Sequence, residues 1–107
     1  MVVGQSGEPW TDEEVDVVVA AYLALLGREL KGERPNKAEV IRGLSAILSA
    51  RNSGSIERKL QNISAVLDEQ QHPWVEGYKP LPHYQRSLRG AVETGLGGWC
   101  QTGVLNA

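Results

Sequence analysis

Apolar side chains recur every three or four residues along the first third of the chain, which is the spacing of a helix. A capping box opens this stretch, with Thr11 at the cap position and Glu14 three residues later. Trp10 and Val15 stand at the two positions of a hydrophobic staple. The pattern predicts a helix over residues 12–30. Its apolar stripe comprises Val15, Val18, Val19, Tyr22, Leu26 and Leu30.

Two further helices follow the same period. Asn36 caps the first, predicted over residues 37–50, and a serine at position 53 or 55 caps the second, predicted over residues 55–69. The connection between them is about four residues long, which makes them neighbours at a steep angle, as in a helix-turn-helix. The core seam of the later helix comprises Ile56, Leu60, Ile63 and Leu67. Its opposite face comprises Ser55, Arg58, Gln61, Asn62 and Ala65, with Lys59 on the flank.

The next segment is rich in proline and glycine and predicts an ordered loop that packs through Trp74, Val75 and Tyr78. Pro82 is expected to start a fourth helix over residues 83–94, and Gly95 to end it. We therefore expect one all-α domain of four helices with a helix-turn-helix-like core. The expected boundaries are a flexible leader at residues 1–9, the domain at 10–96, and the start of a linker at 97–107.

Charge is distributed unevenly along a chain whose net charge is −2. Residues 1–27 carry five acidic and no basic side chains, whereas residues 34–67 carry six bases against two acids. Residues 79–92 carry three bases and no acid. If the two basic segments lie on one side, that side attracts phosphate despite the net charge. A mixed, solvated surface explains the charges alone equally well.

The residues of a catalytic or metal site are absent from the sequence pattern. The two histidines, His72 and His83, and the single cysteine, Cys100, do not have the spacing of zinc ligands. No glycine-rich phosphate loop follows a strand, and no serine lies in a nucleophile elbow. We expect no enzyme activity, metal or cofactor. The lack of an apolar span or a signal segment, together with the single cysteine, favours a cytoplasmic protein without membrane contact.

Several stretches resemble DNA-binding modules. The opening WTDEE is similar to the first helix of Myb-like and trihelix domains, with Trp10 as the core tryptophan. RNSGSIERKLQNISAVL, GYKP and HYQRSL together resemble the N-terminal helical module of bacterial McrA-like, HNH-type, modification-dependent restriction endonucleases. This resemblance spans residues 10–96. The residues that match its motif are Arg51, Ser55, Lys59, Asn62, Gly77, Tyr78, Lys79 and Pro80.

In such enzymes a separate HNH domain cuts the DNA, and this chain contains no such domain. The resemblance therefore implies a recognition or accessory role on double-stranded DNA, including modified DNA, rather than cleavage. It leaves open a homodimer formed through the parent protein. A protein-interaction or dimerisation module of the same kind of enzyme is the alternative function, because four helices with arginine and aromatic anchors also suit a protein interface.

The outward side chains of the third helix have the chemistry of base recognition. Arginine suits guanine O6 and N7, and asparagine or glutamine suits adenine N6 and N7. We predict a DNA surface made of Ser55, Arg58, Lys59, Gln61 and Asn62, extended by Asn52, Ser53 and Tyr78, with Arg51, Lys37, Arg42 and Lys79 on phosphates. The alternatives are solvated charge for Arg58 and Lys59, a cap or a bridge to the following loop for Asn62, and core packing for Tyr78.

Overall fold

A computed structural model describes residues 10–102 of the chain, with side chains as far as Gly97. These residues form four α-helices and no strand, which confirms the expected fold class. The helices are α1 (Asp12–Leu30), α2 (Lys37–Ile47), α3 (Ser53–Glu69) and α4 (Arg86–Thr102). The leader predicted at residues 1–9 lies outside the described residues, as do the last five residues of the predicted linker.

The start of α1 follows the predicted capping box. The Thr11 N–H donates to Glu14 Oε1 at 2.8 Å, and the Glu14 N–H donates to Thr11 Oγ1 at 3.1 Å. These bonds satisfy two of the N–H groups that a helix leaves without a partner at its first turn. Of the predicted stripe, all but Leu30 are buried, and Leu30 is 44% exposed. Trp10 lies in the core, as predicted.

Helix α3 runs through the centre of the domain, in contact with each of the other three helices. The predicted seam of Ile56, Leu60, Ile63 and Leu67 is fully buried. Helix α2 ends at Ile47, three residues before its predicted end, and a five-residue connection joins it to α3. The prediction of a short connection between these two helices is confirmed. The Cα radius of gyration, 13.2 Å, is that of a compact domain of about 100 residues.

The loop between α3 and α4 is anchored in the core, as predicted. The Val75 N–H donates to the Tyr22 hydroxyl at 2.8 Å, and that hydroxyl shares a hydrogen bond of 2.7 Å with Ser64 Oγ. Burial raises the pKa of Tyr22 to about 12. Gly77 has a φ of +98°, a conformation that favours glycine, and Tyr78 beside it is buried. The alternative of core packing for Tyr78 is confirmed, and its predicted place on the DNA surface is wrong.

Helix α4 differs from its prediction at both ends. It begins at Arg86 rather than near Pro82, and it continues through Gly95 to Thr102. The predicted end at Gly95 is wrong because this glycine packs against α1: a Cβ here would lie 2.5 Å from Leu23 Cδ1. Residues 97–102 are therefore helix, and not the start of a linker.

None of the helices within residues 10–102 combines the length and apolar character that crossing a bilayer requires.

Candidate nucleic-acid interface

The candidate interface is built around the turn before α3. The Arg51 N–H donates to the Leu48 carbonyl at 2.9 Å, and Asn52 then caps the helix by accepting from the Ser55 N–H at 2.7 Å. The predicted serine cap is wrong: Ser53 and Ser55 belong to the first turn of the helix. No acidic side chain occupies that first turn. The positive end of the α3 dipole is thus not neutralised by a local carboxylate.

A buried ion pair fixes this turn to the start of α1. Arg51 Nε lies 3.0 Å from Glu14 Oε2, and a terminal nitrogen of Arg51 lies 3.0 Å from Glu14 Oε1. The side chains are 2% and 0% exposed. The hydrogen bonds from Arg51 hold the pKa of the Glu14 carboxyl below its usual value, against the opposing effect of burial. This two-pronged geometry leaves the guanidinium committed to the interior.

Two cations lie over the ring of Trp10. The Arg51 guanidinium carbon and the Lys59 ammonium nitrogen each lie 5.0 Å from the ring centroid. Lys59 also donates to Gln85 Oε1 at 3.2 Å, and that amide bonds to both the N–H and the carbonyl of Trp10. Burial lowers the pKa of the Lys59 ammonium, and the nearby Arg51 charge lowers it further. These contacts join the starts of α1, α3 and α4.

The loop before α4 covers part of the face that was predicted to read DNA. The Leu81 N–H donates to the Gln61 carbonyl at 3.1 Å, and the Asn62 amide donates to the Leu81 carbonyl. Asn62 is 8% exposed and Lys59 is 7% exposed, so their predicted outward placement is wrong. The alternative of a bridge from Asn62 to the following loop is confirmed. Ala65, predicted on the same outer face, is also buried.

The four cations predicted to contact phosphate also differ in their exposure to solvent. Arg51 lies inside, at 5% exposure, where it pairs with Glu14. Lys37 is half-buried and pairs with Glu29 at 3.0 Å. Arg42 and Lys79 are exposed. Only two of the four predicted phosphate cations therefore extend freely into solvent. Tyr78 is buried, so it is not a surface aromatic.

What stays accessible is the N-terminal half of α3 and its cap. Asn52, Ser53, Gly54 and Arg58 are exposed, while Ser55 and Gln61 are half-buried. Arg58 Nε makes a long contact of 3.4 Å to the Gly54 carbonyl, which keeps the side chain along the first turn. Glu57 is the one exposed acid within this stretch. We call the surface formed by Asn52, Ser53, Gly54, Ser55, Arg58 and Gln61 the α3 tip.

The sequence reasoning missed two members of the supporting network. Glu14 was interpreted only as a helix cap, although the same carboxylate also binds Arg51. Gln85 stands in the HYQRSL stretch but was given no role, and its contacts to Trp10 cross 75 positions of sequence. The sequence did carry a signal for the second role of Glu14: an acid stands at a cap position, and Arg51 stands just before the third helix. Gln85 carried no comparable signal.

Within the part of the chain that the structure describes, no three His, Cys, Asp or Glu side chains gather in a way that would hold a metal ion. No protein-family model, curated protein sequence or solved structure matches this chain.

Proposed function

We propose that this chain is a DNA-binding module that contacts duplex DNA through the α3 tip. The observation that carries the proposal is the exposed first turn of α3, which has no carboxylate and a glycine at its second position. The N–H groups of such a turn that its cap does not engage, together with the helix dipole, attract the oxygens of a phosphate. In helix-turn-helix proteins, the N-terminal residues of the recognition helix contact base edges.

The site has a cation at the position where base contact is expected. Arg58 lies one turn after Gly54 on the exposed side, and a guanidinium suits the two acceptors of guanine. Gln61 is the next side chain along this face and is only half-buried, so its amide suits adenine. Exposed Arg42 and Lys79 supply phosphate contacts in this proposal.

The buried network supports the proposal because it fixes the orientation of the tip. The Glu14–Arg51 pair holds the turn before α3, and the Asn62 and Lys59 side chains attach α3 to the loop before α4. A contact surface on a rigid element loses little conformational freedom when it binds. The network thus replaces the direct DNA contacts first predicted for Arg51, Lys59 and Asn62.

As the sequence resemblance implies, the proposed setting is an HNH-type restriction endonuclease in which another domain cuts the DNA. The module itself is proposed to be non-catalytic and to act on duplex DNA in the cytoplasm, including DNA with modified bases.

The test is fluorescence anisotropy with plain, methylated and hydroxymethylated duplexes. Arg58→Ala should weaken binding to the preferred duplex more than to a random duplex, with about 1–3 kcal/mol lost in discrimination. Arg89→Ala is the matched control, because Arg89 pairs with Glu69 at the other end of α3. The parent affinity should fall steeply with salt.

A second variant separates binding from folding. Gly54→Glu places a carboxylate in the first turn of α3, where it favours the helix but repels phosphate. The variant should fold at least as stably as the parent and lose DNA binding. Unchanged DNA affinity in folded Gly54→Glu and Arg58→Ala proteins would show that the α3 tip is not the interface.

The alternative of a protein-interaction module has its own observation. An open groove of about 320 Å³ lies between α1 and α2, and its lining is mostly apolar. Ile47, at the end of α2, borders it with 58% of its surface exposed. An exposed large apolar residue beside an apolar groove is typical of a docking surface.

A further inference from the structure

The outer side of α1 carries a continuous ridge that no other described helix covers. Asp16, Ala20, Ala24 and Arg28 are all exposed and succeed each other at intervals of four residues. Side chains at this interval form one of the natural ridges of a helix. We call these four residues the α1 ridge.

The charges of the α1 ridge are arranged symmetrically about the middle of the helix. Asp16 and Arg28 lie six residues on either side of Tyr22, and the alanines lie two residues on either side. The same relation holds just beyond the ridge, where exposed Glu13 and Lys31 each lie nine residues from Tyr22. If the helix is reversed end for end, each of these two acids therefore coincides with a base.

The surface beside the ridge is apolar. Ala24 and Arg28 belong to the α1 ridge and also line the groove between α1 and α2. The opposite wall of that groove includes Gly43 and Ile47. A Cβ added at Gly43 would meet nothing within 4 Å. Small side chains in the middle of the ridge and an open groove beside it allow another helix to approach closely.

We propose that two copies of this chain pair through their α1 helices, running in opposite directions, with the α1 ridge of each lying against that of the other. A two-fold interface uses the same patch on both partners, so the patch must be self-complementary. The order of acid, alanine, alanine and base meets this requirement. The groove and Ile47 of each copy then lie at the edge of the interface.

In this pairing, Asp16 of each copy faces Arg28 of the other. Two ridges of this four-residue type pack with their helix axes inclined by about 50°. Arg28 now forms an ion pair of 3.0 Å with Glu33, and both side chains are about half exposed. Exposed pairs of this kind contribute little, so Arg28 can exchange Glu33 for the second copy's carboxylate at small cost. The pairing does not rest on the proposed DNA contact.

The experiment is sedimentation equilibrium of the parent and of two charge-reversal variants, Asp16→Lys and Arg28→Glu, over a wide range of concentration. The parent should dimerise, and dissociation should increase with salt because the contacts are ionic. Each variant alone places like charges opposite each other at two symmetric points. Its dimer dissociation constant should rise about 10- to 100-fold.

The decisive arm is a mixture of the two variants. Only in a mixed dimer would the lysine introduced at position 16 of one variant face the glutamate introduced at position 28 of the other. The unchanged Asp16 and Arg28 would face each other there as well, so the mixture should dimerise like the parent. Asp68→Lys, on the exposed side of α3, is the control of equal charge change and should leave dimerisation unaltered. Circular dichroism checks that each variant keeps its helices.

A parent that stays monomeric up to about millimolar concentration, the range of very weak association, would overturn the proposal. So would a dimer that both variants leave unchanged, or two folded, monomeric variants whose mixture remains monomeric.

Discussion

Replacing Arg51 by methionine should be among the most destabilising single changes in the described part of the chain. Methionine keeps much of the aliphatic length of the side chain but removes the guanidinium that binds Glu14 through two hydrogen bonds. The Glu14 carboxylate would then be a fully buried charge without its cationic partner. Removing one member of a buried pair costs about 3–5 kcal/mol, because the remaining charge has lost its solvation as well.

A loss of about 3–5 kcal/mol is a large part of the free energy of unfolding of a small domain. A domain of this size has an unfolding free energy of about 5–15 kcal/mol. A loss of about 3 kcal/mol lowers the melting temperature by at least about 12 °C in a domain of up to about 100 residues. Urea unfolding, followed by circular dichroism and tryptophan fluorescence, measures the difference. Urea is preferred to a guanidinium salt because it does not screen the ion pair.

The double variant Arg51→Met with Glu14→Gln tests the cause. Glutamine keeps the capping position and removes the charge, so the double variant should be more stable than Arg51→Met alone. Strictly additive losses would refute the ion-pair explanation, as would a loss below about 1 kcal/mol for Arg51→Met, a value typical of surface changes.

The dependence on pH has a defined sign. In the parent, the pKa of Glu14 is lowered on folding, so its contribution is fully present above the usual glutamate pKa and is lost as pH falls through the lower, folded value. In Arg51→Met, burial without the guanidinium should raise that pKa instead. The stability gap between the two proteins should therefore be widest near neutral pH and narrow towards the usual glutamate pKa of about 4.3.

Two matched pairs of substitutions test the core. Tyr22→Phe should destabilise by about 1–3 kcal/mol, because it removes a buried hydroxyl that bonds to two partners, while Tyr78→Phe should be neutral or stabilising, since the buried Tyr78 hydroxyl has no hydrogen-bond partner among the described residues. Thermal unfolding that shows equal losses would contradict this. Gly95→Ala should destabilise the protein by about 1–3 kcal/mol, because the added methyl group clashes with Leu23. Gly90 is exposed, so Gly90→Ala should instead stabilise α4 by about 0.5–1 kcal/mol. A Gly95→Ala protein that is more stable than the parent would refute the close packing of α1 and α4.

The parts of the fold that local chemistry determines could be predicted from the sequence. The bounds of α1 agree because a capping box and an apolar period act within one helix. The buried seam of α3 agrees for the same reason. Gly95 was misinterpreted because glycine disfavours a helix locally, whereas here the approach of Leu23 from another helix selects it.

The candidate site was harder, since a helical period shows one buried face but not whether something covers the other. Asn62 lies opposite part of the seam and looked exposed, yet a loop 19 positions later packs over it. Arg51 was expected on phosphate because its buried partner lies 37 positions earlier in the chain. Ser53 and Arg58 needed no distant partner, and their predicted exposure agrees with the structure.

The contacts of Gln85 with Trp10 also bear on how the chain folds as it is synthesised. They join positions 75 residues apart, so they cannot form until most of the chain has been made. On the ribosome, all the residues of the first three helices are made before Gln85. The backbone N–H and carbonyl of Trp10 therefore remain solvated until the segment before α4 has emerged. In a nascent chain stalled before Gln85, the Trp10 N–H and carbonyl would lack their Gln85 partners.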